Sequence, residues 1–141
     1  MDNKNIKDLI KKGYFKFNLI PNKFKKINSI IKNIIIKNTN IKNKLNLELI
    51  HNQIKISELN NIRLSIFKAI NKNIEFKKTL FESASNHIEN CVGSEISSSD
   101  INLSIQFPKD DSSLLEMHTD FFSGESLFQV NLWVPLVEVK K

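Results

Sequence analysis

Apolar residues along this chain recur with two different periods, and the change falls near Gly93. Before it the spacing is helical. Ile6, Leu9 and Ile10 form a short stripe that ends at Gly13, a plausible helix stop. Tyr14, Phe15 and Phe17 read as a short strand or an extended lead-in. Pro21 suits the first turn of a second helix, whose apolar face is Phe24, Ile27, Ile30, Ile31, Ile34 and Ile35. Within it, "NIIIK" is the most strand-like piece, because β-branched side chains lower helix propensity. "NTNIKNKLN" reads as a loop. A third helix is predicted from Ser57, with Leu59, Ile62, Ile66 and Ile70 on one face. A fourth runs through Phe76, Leu80, Phe81, Ala84 and Ile88 towards Cys91 and ends at Gly93.

After "GSEISSSD" the period becomes two. In "INLSIQF", Ile101, Leu103, Ile105 and Phe107 face one way; Asn102, Ser104 and Gln106 face the other. "PKDDSS" is a turn, "LLEMHTD" a second extended piece, and "FSGES" another turn. In "LFQVNLWVP", Phe128, Val130, Leu132 and Val134 alternate with Gln129, Asn131 and Trp133. The chain length suits one domain, residues 1–141, with 1–92 mainly helical cover and 93–141 strands.

Charge divides at nearly the same place. Residues 1–80 carry 18 Lys+Arg against 5 Asp+Glu, and residues 81–141 carry 3 against 10. The abundance of Asn, Ile and Lys fits a bias towards AT-rich codons, which raises net charge without selecting a basic surface. The basic half reads as ordinary helices with solvated Lys faces, which argues against nucleic acid as the partner. Cys91 is the single cysteine, so no disulfide forms within the chain, in keeping with a cytoplasmic location. Cys91 reads as a small buried hydrophobe. No apolar run reaches membrane-spanning length, and the first residues have no signal-peptide core.

The candidate chemistry lies in "LEMHTD". On a strand, His118 and Asp120 project to one side, with Thr119 opposite. An imidazole and a carboxylate so placed supply two members of a two-His, one-carboxylate iron triad. The alternative is a surface turn whose His bonds a nearby carboxylate. In a barrel backed by helices, the apolar faces pack outward on the helices, and Asn102, Ser104, Gln106, Gln129, Asn131 and Trp133 line the cavity into which His118 and Asp120 point. Solvent exposure accounts equally well for the polar residues, and core packing accounts better for Trp133. No Gly-rich phosphate loop, zinc-type Cys/His cluster or supported Ser-His-Asp arrangement occurs.

The run "INLSIQFPKDDSSLLEMHTDFFSGESLFQVNLWVPLVEV" resembles Fe(II)/2-oxoglutarate-dependent oxygenases of the phytanoyl-CoA hydroxylase-like kind. It is most similar to a bacterial subgroup associated with carbohydrate-biosynthesis gene clusters, over roughly residues 93–139. The resemblance implies an α+β fold: N-terminal helices packed on the first part of a double-stranded β-helix, a jelly-roll barrel left incomplete. It implies His118 and Asp120 as Fe(II) ligands, with Gln106 and Trp133 approaching the 2-oxoglutarate pocket. It implies hydroxylation of a small, carbohydrate-derived substrate, with ascorbate as a reductant. Phe122 and Leu127 stand where the subgroup has Trp and Pro. The family's second iron-ligating His, and the basic residue that pairs with 2-oxoglutarate, lie downstream of His-x-Asp, beyond Lys141. The expectation is therefore a C-terminally truncated oxygenase, completed by a separately encoded C-terminal half or self-associating through open strand edges. Two other readings stand beside it: a non-enzymatic basic helical module that binds an anionic partner, and a non-functional gene fragment.

Overall fold

Among the described residues, four helices form where apolar residues recur every three or four positions. A computed structural model of the protein describes residues 3–41, 44–108, 110, 124, 126 and 129–139. Helix α1 spans Asn3–Lys12, α2 Pro21–Lys37, α3 Leu59–Lys72 and α4 Ile74–Val92. Short 3-10 turns occupy Ile50–Asn52 and Ile56–Glu58.

Each boundary has a local cause. Gly13 takes φ +77 and its N–H closes α1 on the Leu9 carbonyl at 2.8 Å. Pro21 opens α2 at a position where its missing N–H costs nothing. Asn73 serves two helices at once. Its N–H caps α3 on Ile70 O at 3.0 Å, and its side-chain oxygen accepts from Phe76 N–H at 2.9 Å to start α4. Gly93 ends α4 with φ +88 and ψ −175.

Helix α2 packs against both α3 and α4. The core is built mainly from isoleucine: Ile27, Ile31 and Ile35 of α2 are 1% exposed, and Ile66 and Ile70 of α3 are wholly buried. The β-branched "NIIIK" stretch is helical throughout, because Ile34 and Ile35 gain more from burial than their weak propensity costs. Lys23–Glu82 at 2.9 Å and Lys26–Glu75 at 2.8 Å run up the α2–α4 seam in an order that makes the helices antiparallel.

The loop between α2 and α3 contributes more core than its composition suggests. Leu45, Ile50 and Ile54 are buried there. Gln53 holds its own strap of chain closed, donating to Lys44 O at 3.3 Å and accepting from Asn46 N–H at 3.2 Å.

The incomplete jelly roll is not found. Among the described residues the chain is helical, with no strand. This corrects the α+β, double-stranded β-helix expectation, including the strand reading of Tyr14–Phe17 and of the described parts of the two alternating runs. The period-two pattern is nonetheless expressed in burial. Ile105 is buried, Ile101, Leu103 and Phe107 are half-buried against the same core, and Asn102, Ser104 and Gln106 are exposed. Alternation requires only that one side of an extended segment be covered, and here helices cover it rather than a neighbouring sheet layer.

Candidate functional site

The segment 101–107 is anchored along α3 by two polar side chains. Asn71 Nδ2 donates to Ile101 O at 3.0 Å, and Asn71 Oδ1 accepts from Ile101 N–H at 2.9 Å. Eight residues earlier on α3, Arg63 Nη2 donates to Ile105 O. Eight helical residues rise about 12 Å. Four extended residues span about 13 Å. The two spacings match, so the segment lies extended and antiparallel to α3. Asp100 adds an ion pair to Lys77 of α4 at 3.6 Å.

This placement sets Gln106 on the solvent side, exposed, rather than inside a barrel. In 129–139 the half-buried residues Leu132, Val134 and Leu136 alternate with exposed neighbours, and Leu136 packs against the helical core. Val130, expected on the apolar face, is 40% exposed, and Trp133 is 75% exposed, so core packing does not account for the indole. Gln106 and Trp133 thus both face solvent. His118 and Asp120 lie outside the described residues, as does the rest of "LLEMHTD". The turns on either side are seen in part: Asp110 N–H bonds Phe107 O at 3.3 Å, and Gly124 takes φ +90.

The other two histidines are engaged in packing. His87 on α4 stacks on Phe17 with ring centroids 4.0 Å apart, and Phe15 lies 6.2 Å from it. His51 meets Phe107 edge-on at 6.4 Å. Among the described residues no three His, Cys, Asp or Glu side chains form a group able to hold a metal ion. Cys91 is half-buried in the last turn of α4, where burial pushes its thiol above the ordinary value.

Two open clefts mark the helical half. One, of about 350 Å³, is lined by Lys37, Asn38, Thr39, Asn40, Glu58 and Ile62. The other, of about 550 Å³, lies between α2 and the loop at Lys44 and Leu45. Lys25, Lys32 and Lys44 border it, with Phe24 and Ile36 supplying apolar wall. Among the described residues these three lysines make no ion pair. Asn28 also lines this cleft, and among the described residues its buried Oδ1 has no hydrogen-bond partner. A buried acceptor left open in this way takes a donor from water or a ligand.

Sequence reasoning did not single out Asn71 or Arg63. Arg63 is the only arginine in the chain, and Asn71 follows the wholly buried Ile70. Those were the available signals that polar groups there do more than solvate a helix. No family model, curated relative or solved structure matches this chain. Among the described residues no helix is long and apolar enough to cross a membrane.

Proposed function

We propose that residues 93–139 carry part of the iron site of an Fe(II)/2-oxoglutarate-dependent oxygenase acting on a small, carbohydrate-derived substrate. The observation that supports this reading is the sequence frame around His118-x-Asp120: "NLSIQ" and a Pro-Lys-Asp-Asp turn before it, "SGES" and "WVPLV" after it. The donor set suits the metal, since imidazole nitrogen with carboxylate oxygen is the usual protein contribution to non-haem Fe(II). His118 and Asp120 would hold the iron. When bound, iron with 2-oxoglutarate and dioxygen would supply oxidation of an unactivated carbon. Gln106, exposed and free to donate or accept, and Trp133, an exposed indole, would contact the co-substrate. Nothing in this reading calls on a barrel.

His51 and His87 are engaged in aromatic packing, so this reading assigns His118 and Asp120 as the protein ligands of the metal. Two ligands alone hold Fe(II) weakly, so weak binding and little turnover are expected until another group completes the site. The test is anaerobic titration with Co(II) in place of Fe(II), followed by visible absorption, alongside succinate release from 2-oxoglutarate in the presence of Fe(II) and ascorbate. The expected result is a weak His-dependent Co(II) band that His118→Ala and Asp120→Ala each abolish. A band unchanged in the double variant overturns the assignment. A polypeptide that supplies a second iron-ligating histidine and a basic residue, added as a second chain, should bring turnover that depends on both His118 and Asp120.

A second reading has its own observation. Lys25, Lys32 and Lys44 border a cleft with an apolar wall and an Asn28 acceptor that has no partner among the described residues, which suits an anionic ligand carrying a hydrogen-bond donor. Binding there should weaken steeply with salt and be lost on replacing the three lysines by Gln.

A further inference from the structure

The segment 101–107 has two backbone edges, and α3 uses only one. In an extended chain, N–H and C=O groups of alternate residues point to the same side. Both groups of Ile101 and the carbonyl of Ile105 face Asn71 and Arg63. The N–H and C=O groups of Asn102, Ser104 and Gln106 therefore face away from α3. Among the described residues they make no backbone hydrogen bond, and the segment joins no ladder.

We propose that this edge pairs with the same edge of a second copy of the chain, antiparallel, about a twofold axis at Ser104. In that register Ser104 lies opposite Ser104, and Asn102 opposite Gln106. All three open residues then fall on hydrogen-bonded pairs, giving about six backbone bonds, two for each pair. A twofold contact needs a surface complementary to itself, and this edge is one. Residues 101–107 carry no charge, so no like charges meet across the strands. The outward amides of Asn102 and Gln106 pair with each other on the solvent face. The apolar rows stay on their own helices. The pairing also has a built-in end: Pro108, which has no N–H, falls opposite Asp100, whose carboxylate is held by Lys77. This association is independent of iron binding.

The experiment uses the full chain in sedimentation velocity across a concentration series, with Ser104→Pro as the diagnostic variant. Ser104 is exposed and its N–H makes no hydrogen bond among the described residues, so proline there removes a donor from the pairing edge and leaves the helices intact. The expected result is a dimer that Ser104→Pro weakens roughly tenfold or more, with unchanged helical circular dichroism. Register is read by disulfide capture in a Cys91→Ser background. Ser104→Cys should cross-link to itself. Asn102→Cys should not, but should cross-link to Gln106→Cys. Because each copy carries +6, added salt should strengthen the dimer. A monomer at all concentrations, an unweakened Ser104→Pro dimer, or Asn102→Cys linking to itself as fast as Ser104→Cys would overturn the proposal. A dimer that dissolves in salt would also overturn it, pointing instead to the acidic half of one copy docking on the basic half of another.

Discussion

Asn71 holds Ile101 by both of its main-chain polar groups, donating to the carbonyl at 3.0 Å and accepting from the N–H at 2.9 Å. One side chain thereby stands in for the strand that would otherwise pair there. Asn71→Ala leaves both groups without this partner and should cost about 1–3 kcal/mol, two hydrogen bonds of ordinary net value. Asn71→Asp puts a carboxylate oxygen where Nδ2 donates to the Ile101 and Phe67 carbonyls, so its loss should be at least as large. Denaturant unfolding gives the energies. Faster hydrogen exchange at the Ile101 amide, with α2 amides unchanged, would show that the effect is local.

Ile66 is wholly buried at the centre of the α3 face, while Leu64, two residues earlier, is 53% exposed. Ile66→Ala should destabilise the fold by about 2–5 kcal/mol, through lost burial and the cavity left behind. Leu64→Ala should change stability by less than about 0.5 kcal/mol. Equal losses in urea unfolding would mean that α3 is rotated from the orientation described.

Gly93 ends α4 at φ +88 and ψ −175, a conformation open essentially to glycine alone. Nothing lies within 4 Å of an added Cβ, so the cost of Gly93→Ala is backbone strain rather than collision. About 1–3 kcal/mol is expected in thermal or urea unfolding. Asn, which tolerates the left-handed helical region, should not rescue the site, because ψ here lies far from that region. Full stability in Gly93→Asn would indicate a different helix end.

Lys23 hydrogen-bonds the Glu82 carboxylate, and its charge adds to the effect, holding that carboxyl below its ordinary value of 4.5. Since folding lowers this pKa, the contribution to stability is complete above the unfolded value. It disappears as pH falls through the folded one. An NMR pH titration should find the Glu82 midpoint below the ordinary carboxyl value. Lys23→Met should move it upward, though Lys78 and Lys26 still act on it. Because the pair is exposed, salt should produce part of the same upward movement. A Glu82 midpoint indifferent to both would remove the ion pair from the α2–α4 seam.

Much of the helical half was legible in the residues themselves. A stripe such as Ile62, Ile66 and Ile70 can be buried together only on a helix, and Gly13, Pro21 and Gly93 mark ends because their backbone constraints act locally. The alternation in 101–107 was equally legible, and it separated the residues that are covered from those that are exposed. What covers the apolar face was not. A period of two reports an extended chain with one side buried, whether by a sheet layer or by helices, so it could not distinguish a barrel strand from a segment lying along α3. The choice rests on Asn71 and Arg63 meeting Ile101 and Ile105 across 30 and 42 residues of chain, and on two spacings, one helical and one extended, that happen to agree. Such a match exists only once the helices are packed, because no local preference in either segment refers to the other.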